Sequence, residues 1–234
     1  QQVMDREIGY AAEAGIDYWA FVTYREDDPM SLGLKRYLSS EARSRVRFCL
    51  LTEGPRWADP AFVNWAVRLL QEPGYQTVLG NRPLLYLGFI GEGKTVRHWE
   101  NAQAFRRALD AFRACVQAEG LGNPYLVILD FLPEWGALWA KELGGDAVSS
   151  YVVSSKPEEA VPYARQARAD EAFWEACRAT GRSVVPVVSC GWDRRPRIER
   201  PVPWERHQQP GVGLERYVEA PTPREIAAHL KDAL

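Results

Sequence analysis

Three carboxylates stand directly behind apolar runs: Glu53 after VRFCLLT, Asp130 inside LVILDFL and Asp193 after SVVPVVSCGW. A carboxyl group delivered by the end of a buried strand suits acid–base or nucleophilic work. Two of them flanking a glycosidic bond would divide the labour, one protonating the leaving oxygen and the other attacking carbon or activating water. Glu53 and Asp130 are the candidate catalytic pair. Aromatic residues accompany these run ends, and a flat ring offers its face to the C–H side of a sugar. The candidate substrate contacts are therefore Trp19, Tyr24, Tyr151 and Trp192, with Asp193 and Arg195 to bond hydroxyls or an acidic group.

Each candidate also has a plainer reading. Glu53 precedes Gly54-Pro55 and would serve equally as a solvated loop charge. Asp130 on a strand is costly to bury unless paired, so an arginine partner competes with catalysis. Asp193, flanked by Arg194 and Arg195, reads as an Asp–Arg brace that shapes its loop. Trp192 would pack on a rim. Tyr18 and Trp19 are consecutive strand residues, so only one of them faces the interior. Glu134 begins a helix and complements its dipole.

Other chemistries find little support. His98, His207 and His229 form no HxH or HExxH grouping, and Cys49, Cys115, Cys177 and Cys190 form no CxxC pair, so no metal and no cofactor is expected. Ser149, Ser150 and Ser189 lack a GxSxG elbow. Gly91-Glu92-Gly93-Lys94-Thr95 resembles the tail of a phosphate-binding loop, but Gly88 is counted one step too far from Gly93 for the full motif, and a barrel is preferred to a nucleotide-binding sheet.

The elements that must position these residues alternate along the chain. Helical spacing over 2–14, closed by Gly15, leads to a strand over 16–24. A helix over 31–44 leads to a strand at 46–52. A helix over 59–73, with Asp59 as cap and Pro60 in its first turn, leads to a strand at 82–90. A helix near 101–119 precedes the strand 124–132, a short helix over 134–143 precedes 146–153, and a helix over 157–180 precedes 183–189. A Pro-rich segment over 191–221 ends at a last helix, 222–234, capped by Thr222. Strands apolar on both faces, separated by helices, predict an α/β protein with a parallel sheet. The fold expected is a (β/α)8 TIM-type barrel lacking its first and last strands, in a single domain over 1–234, with its site at the carboxyl ends of the strands.

Length and charge agree with such a domain. The 234 residues are enough for one sizeable core, and nine Trp and ten Tyr give it a heavy aromatic load. A formal net charge of −2 gives no general attraction to nucleic acid or to an anionic membrane. No apolar run approaches the ~18 residues needed to cross a bilayer. A carbohydrate ligand is the expected partner, with neither nucleic acid nor membrane, and other segments of a longer chain are a further candidate. The chain opens on Gln-Gln instead of Met, so the absence of a signal peptide decides nothing about compartment.

The segment MDREIGYAAEAGIDYWAFVTY resembles the helix, Ala-Gly-Ile-Asp, aromatic-strand segment of glycoside hydrolase family 99-like proteins, including the WbsX-type proteins found beside polysaccharide-synthesis genes. RPLLYL, DAVSSY and the SCGWDRRPR turn are similar to that family's ordered landmarks, and together they span most of the chain. The resemblance implies a glycosidase-type (β/α)8 barrel that acts on or binds a carbohydrate. It also implies an aromatic-rich first strand and an Asn-Glu-bearing eighth, and neither is found here. The Trp-His-Ile-Glu-Pro-Tyr style catalytic segment of family 99 endo-mannosidases does not occur, so mannosidase activity is not carried over. Three functions compete: a glycoside hydrolase-like enzyme, a non-catalytic carbohydrate-binding barrel, and an incomplete domain of a larger polysaccharide-related protein.

Overall fold

The computed structural model describes residues 1–90, 99–153, 159–200 and 213–234. The chain divides into two compact units, Gln1–Val148 and Ser149–Leu234. The architecture is α/β, with parallel strands alternating with helices in the manner of a TIM-type barrel. Its strands are β1 (Tyr18–Val22), β2 (Arg47–Glu53), β3 (Thr77–Val78), β4 (Arg82–Gly88), β5 (Tyr125–Leu129), β6 (Ala147–Ser149) and β7 (Ser183–Val184). The sheet order is β1-β2-β4-β5-β6-β7, with the short β3 antiparallel on β4.

In the first unit, α1 (Gln2–Glu13) stops where Gly15 takes a left-handed φ of 77°. The helix expected over 31–44 is broken. Here α2 (Leu32–Leu38) ends at Ser39, Ser40 turns extended and bonds the Ala42 N–H, and a 3₁₀ turn follows over Glu41–Arg45. A serine that satisfies the backbone locally competes with helix continuation, which is why one pattern yields two pieces. The next helix, α3 (Pro60–Leu70), starts as its sequence requires, with the Asp59 carboxylate accepting the Ala61 N–H at 2.9 Å. Asn101 caps α4 (Ala102–Ala118) in the same way. The fifth helix, α5 (Pro133–Leu143), ends on left-handed Gly144, and Arg113 of α4 donates to the carbonyls of Leu143 and Gly144.

Strand register sorts the side chains onto two faces. Trp19, Phe21 and Phe48 pack on Tyr37 of α2, and the Trp57 indole donates to Thr52 while its rings meet Phe62 and Phe112. That face belongs to the helices. The opposite face carries Tyr18, Cys49, Leu51, Tyr86 and Val127, following the pairings Val22↔Leu51, Leu51↔Tyr86 and Tyr86↔Val127. There the Tyr18 and Tyr86 hydroxyls lie 2.8 Å apart. At the amino ends, β2 and β4 are wedged by Tyr75, whose hydroxyl accepts the Leu50 N–H and donates to the Leu84 carbonyl.

The second unit contains α6 (Tyr163–Ala179), the short α7 (Arg195–Glu199) and α8 (Pro223–Asp232). Thr222 and Glu225 close a reciprocal capping box on α8. The strand expected over 183–189 is laddered only at Ser183–Val184. Beyond it, side chains take the carbonyls: Ser149 bonds that of Val185, the Trp174 indole that of Val187, and Tyr163 that of Ser189. Pro186, having no N–H, offers no donor to a neighbouring strand.

Candidate functional site

Glu53 is the last residue of β2 and is half-buried. Register pairs it with Gly88, on the face opposite the helices. A Cβ at Gly88 would sit 3.5 Å from the Leu129 side chain, in ordinary contact. The next residue, Phe89, has a φ of 56°, a conformation that costs a non-glycine residue energy and collects at functional strand ends. Downstream of Glu53, Arg56 sits in the 3₁₀ turn Gly54–Ala58. Burial pushes its guanidinium down from the usual arginine range, and the Glu53 charge counters part of that.

Asp130 follows β5 but faces the helices. Its Cβ would lie 3.5 Å from a Cβ on Gly136 of α5, and its carboxylate accepts the Leu132 N–H at 3.0 Å. Burial pushes the carboxyl above the ordinary aspartate range, outweighing the backbone N–H groups of Leu132 and Phe131 that pull it down. Two strand spacings separate β2 from β5, about 10 Å between backbones, and the two side chains leave opposite faces. The structure does not bring Glu53 and Asp130 together in one cleft.

The other candidates distribute as follows. Trp19 belongs to the helix-side aromatic cluster, while its neighbour Tyr18 takes the opposite face. Tyr24 lines a cleft of about 800 Å³ with Arg25, Lys35, Arg56, Trp65 and Arg68. In the second unit, Tyr151 and Trp192 have half-exposed rings, at 49% and 44%. Asp193 is held by Arg195 through bonds of 2.8 and 2.6 Å, which lowers its carboxyl, and the Arg195 guanidinium lies over Tyr217. Arg194 and Arg197 lie over the Trp192 ring at 5.6 and 5.5 Å. Gly191 has a left-handed φ of 76°, and a Cβ there would strike the Glu219 carbonyl. The turn is a braced structure whose ring and cations already engage one another.

Sequence reasoning passed over several residues. Arg56 was hidden inside Gly-Pro-Arg-Trp, although Pro55 after a strand-end acid signalled a tight turn. It also passed over the Tyr18–Tyr86 contact and a buried network in the second unit. There Asp170, fully buried, accepts from Gln166 Nε2 at 2.8 Å, the Ser189 N–H at 2.8 Å and the Ser189 hydroxyl at 3.0 Å. The Tyr163 hydroxyl donates to the Ser189 carbonyl and so receives the Nδ1–H of His229, whose Nε2 lies 3.9 Å from Asp170. The phosphate-loop reading needs a correction of count. Taken from Gly88, the stretch Gly88–Thr95 has the full G-x4-G-K-T spacing. Residues 91–98, including His98, lie outside the described residues, as does His207. The helix that follows among the described residues begins at Ala102.

No cluster of His, Cys, Asp or Glu among the described residues would hold a metal ion. The cysteines are free, and no described helix is long and apolar enough to cross a membrane.

No family model and no curated protein matches the chain. Among solved structures it is similar to the GH99 endo-alpha-mannosidase from Bacteroides thetaiotaomicron in complex with BIS-TRIS-Propane. The TM-score is 0.52 at 12% identity, over 99% of this chain and 67% of that one. A second structure of the GH99 endo-alpha-mannosidase from the same organism gives a TM-score of 0.53 at 13% identity, over 99% and 63%. The chain thus spans 63–67% of the length of these neighbours. Identity this low carries the GH99-like fold and no residue role.

Proposed function

We propose that the protein is a glycoside hydrolase-like protein that takes a carbohydrate at its strand ends and hydrolyses an O-glycosyl bond there, with Glu53 as the principal carboxylate. The observation that carries this reading is the end of β2: a half-buried acid on the helix-free face, level with a glycine and one residue from strained Phe89. The fold shared with a GH99 endo-alpha-mannosidase supports a sugar as ligand, and the finer likeness to WbsX-type proteins belongs to the same proposal. Tyr24 supplies a ring in the first unit; on the second unit, taken by itself, Tyr151, Trp192, Asp193 and Arg195 are proposed sugar contacts. Trp19, packed on α2, serves the site by holding β1.

A second reading, a carbohydrate-binding barrel without catalysis, draws on the placement of Asp130, since a lone carboxylate lacks the partner that hydrolysis requires. Release of reducing ends from a panel of oligosaccharides separates the two. The hydrolase reading expects turnover that falls by about 10²–10⁴ in Glu53→Gln, the range for a lost acid–base group. Binding without any release by the unaltered protein selects the second reading.

A further inference from the structure

The cleft framed by α2 and α3, which Arg56 lines and Glu53 does not, has a chemistry that a neutral sugar does not use. Its walls come from the segment after β1 (Tyr24 to Asp27), from α2 (Leu34, Lys35, Leu38) and from the start of α3 (Asp59 to Arg68). Four cationic side chains line it against three carboxylates, and the acids are largely committed. Asp27 pairs with Arg25 at 3.3 Å, and Asp59 holds the Ala61 N–H at the head of α3. Lys35 donates to the Glu26 carbonyl at 2.6 Å. Arg56 is different. Its Nη1 is shielded from solvent and has no hydrogen-bond partner among the described residues, while its guanidinium lies 5.1 Å over the Phe62 ring. A cationic donor withdrawn from water and left unbonded is costly, and a ligand acceptor would relieve it.

We propose that this cleft is a subsite for the carboxylate-bearing ring of an acidic saccharide, with Arg56 as its anchor. The guanidinium fork matches a carboxylate in two parallel bonds, a geometry that a lysine does not offer. Arg68 adds long-range attraction from an exposed position. Trp65, half-buried on the same wall and 5.5 Å from Phe62, gives a face for the pyranose C–H groups. At about 800 Å³ the space is larger than one carboxylate or phosphate needs and suits several sugar rings. The inference rests on the carbohydrate reading above and deepens it by naming the class of sugar.

The test is calorimetric titration of the intact chain with trigalacturonate and a hyaluronan hexasaccharide, against their carboxyl-reduced counterparts and inorganic phosphate. The acidic oligosaccharides should bind at least about tenfold more tightly than the reduced ones, and Arg56→Met should remove most of that difference, with Arg56→Lys between. Should Arg56→Met melt early, the exposed Arg68→Gln serves instead, with an expected loss of about threefold that shrinks as salt is raised. The subsite is overturned if no acidic oligosaccharide binds, if folded Arg56→Met binds them unchanged, or if phosphate binds as tightly with the same dependence on Arg56. Acid-dependent binding without hydrolysis keeps the subsite and defeats the hydrolase reading. Hydrolysis of neutral glycans with no preference for uronates does the reverse.

Discussion

At Asp170, in the second unit, a fully buried carboxylate is matched on both oxygens by the Ser189 N–H and hydroxyl and by Gln166. At the ends of β2 and β5, in the first unit, carboxylates are half-exposed and thinly bonded. Asp130 receives backbone N–H groups alone, and Glu53 caps no N–H of the turn it precedes. The contrast separates acids that hold a fold together from acids free to meet a ligand. Satisfaction on all sides makes a carboxylate structural, because any ligand would have to displace bonds already made. Spare acceptor capacity at a strand end is what a reacting group needs, and it is bought with local stability.

The largest effect that would sharpen this contrast lies in the second unit. Asp170→Ala strands three donors in the interior and should lower unfolding stability by about 3 kcal/mol. Asp170→Asn, which keeps the shape but cannot accept the Ser189 N–H on its amide nitrogen, should recover part of the loss. Denaturant melts check both, and an Asp170→Ala protein with unaltered stability would break the comparison. At Glu53 the expectation is the opposite. Glu53→Gln should leave stability within about 0.5 kcal/mol, as a half-exposed residue without bonded partners does, while removing the turnover expected above. A large loss of stability there would place Glu53 among the structural acids.

How much of this the sequence revealed depended on the range of the interactions. Caps were legible because they are local: Asp59 before Pro60 and Thr222 before Pro223-Arg224-Glu225 bond within a few residues of themselves. The parallel alternation followed from apolar runs separated by helical spacing, and most strand positions came close. The run 183–189 did not, because Trp174, Tyr163 and Ser149 supply donors where a neighbouring strand would, and those partners are distant in sequence. The side on which Asp130 falls was equally hidden. LVILDFL reads as one strand, but the ladder stops at Leu129, and the Asp130 carboxylate turns to the Leu132 N–H at the head of the following helix. Arg56 became visible only when α2 and α3 were seen to frame it.

The smallest expected effect concerns the pH dependence that Asp130 confers. Burial raises its carboxyl in the folded protein above the value, about 3.9, that an unfolded chain gives. Between those two values the folded state holds more protons than the unfolded one, so stability must fall as pH rises through the window. Asp130 therefore contributes fully below the unfolded value, and that contribution is gone above the raised one. Asp130→Asn removes this titration while keeping an oxygen for the Leu132 N–H. The stability of the unaltered protein relative to Asp130→Asn should accordingly increase as pH is lowered from neutral to just below 4 or so, and melts of the two proteins across that range measure it. A difference that stays flat, or one of opposite slope, would mean that burial does not raise the Asp130 carboxyl in the folded protein.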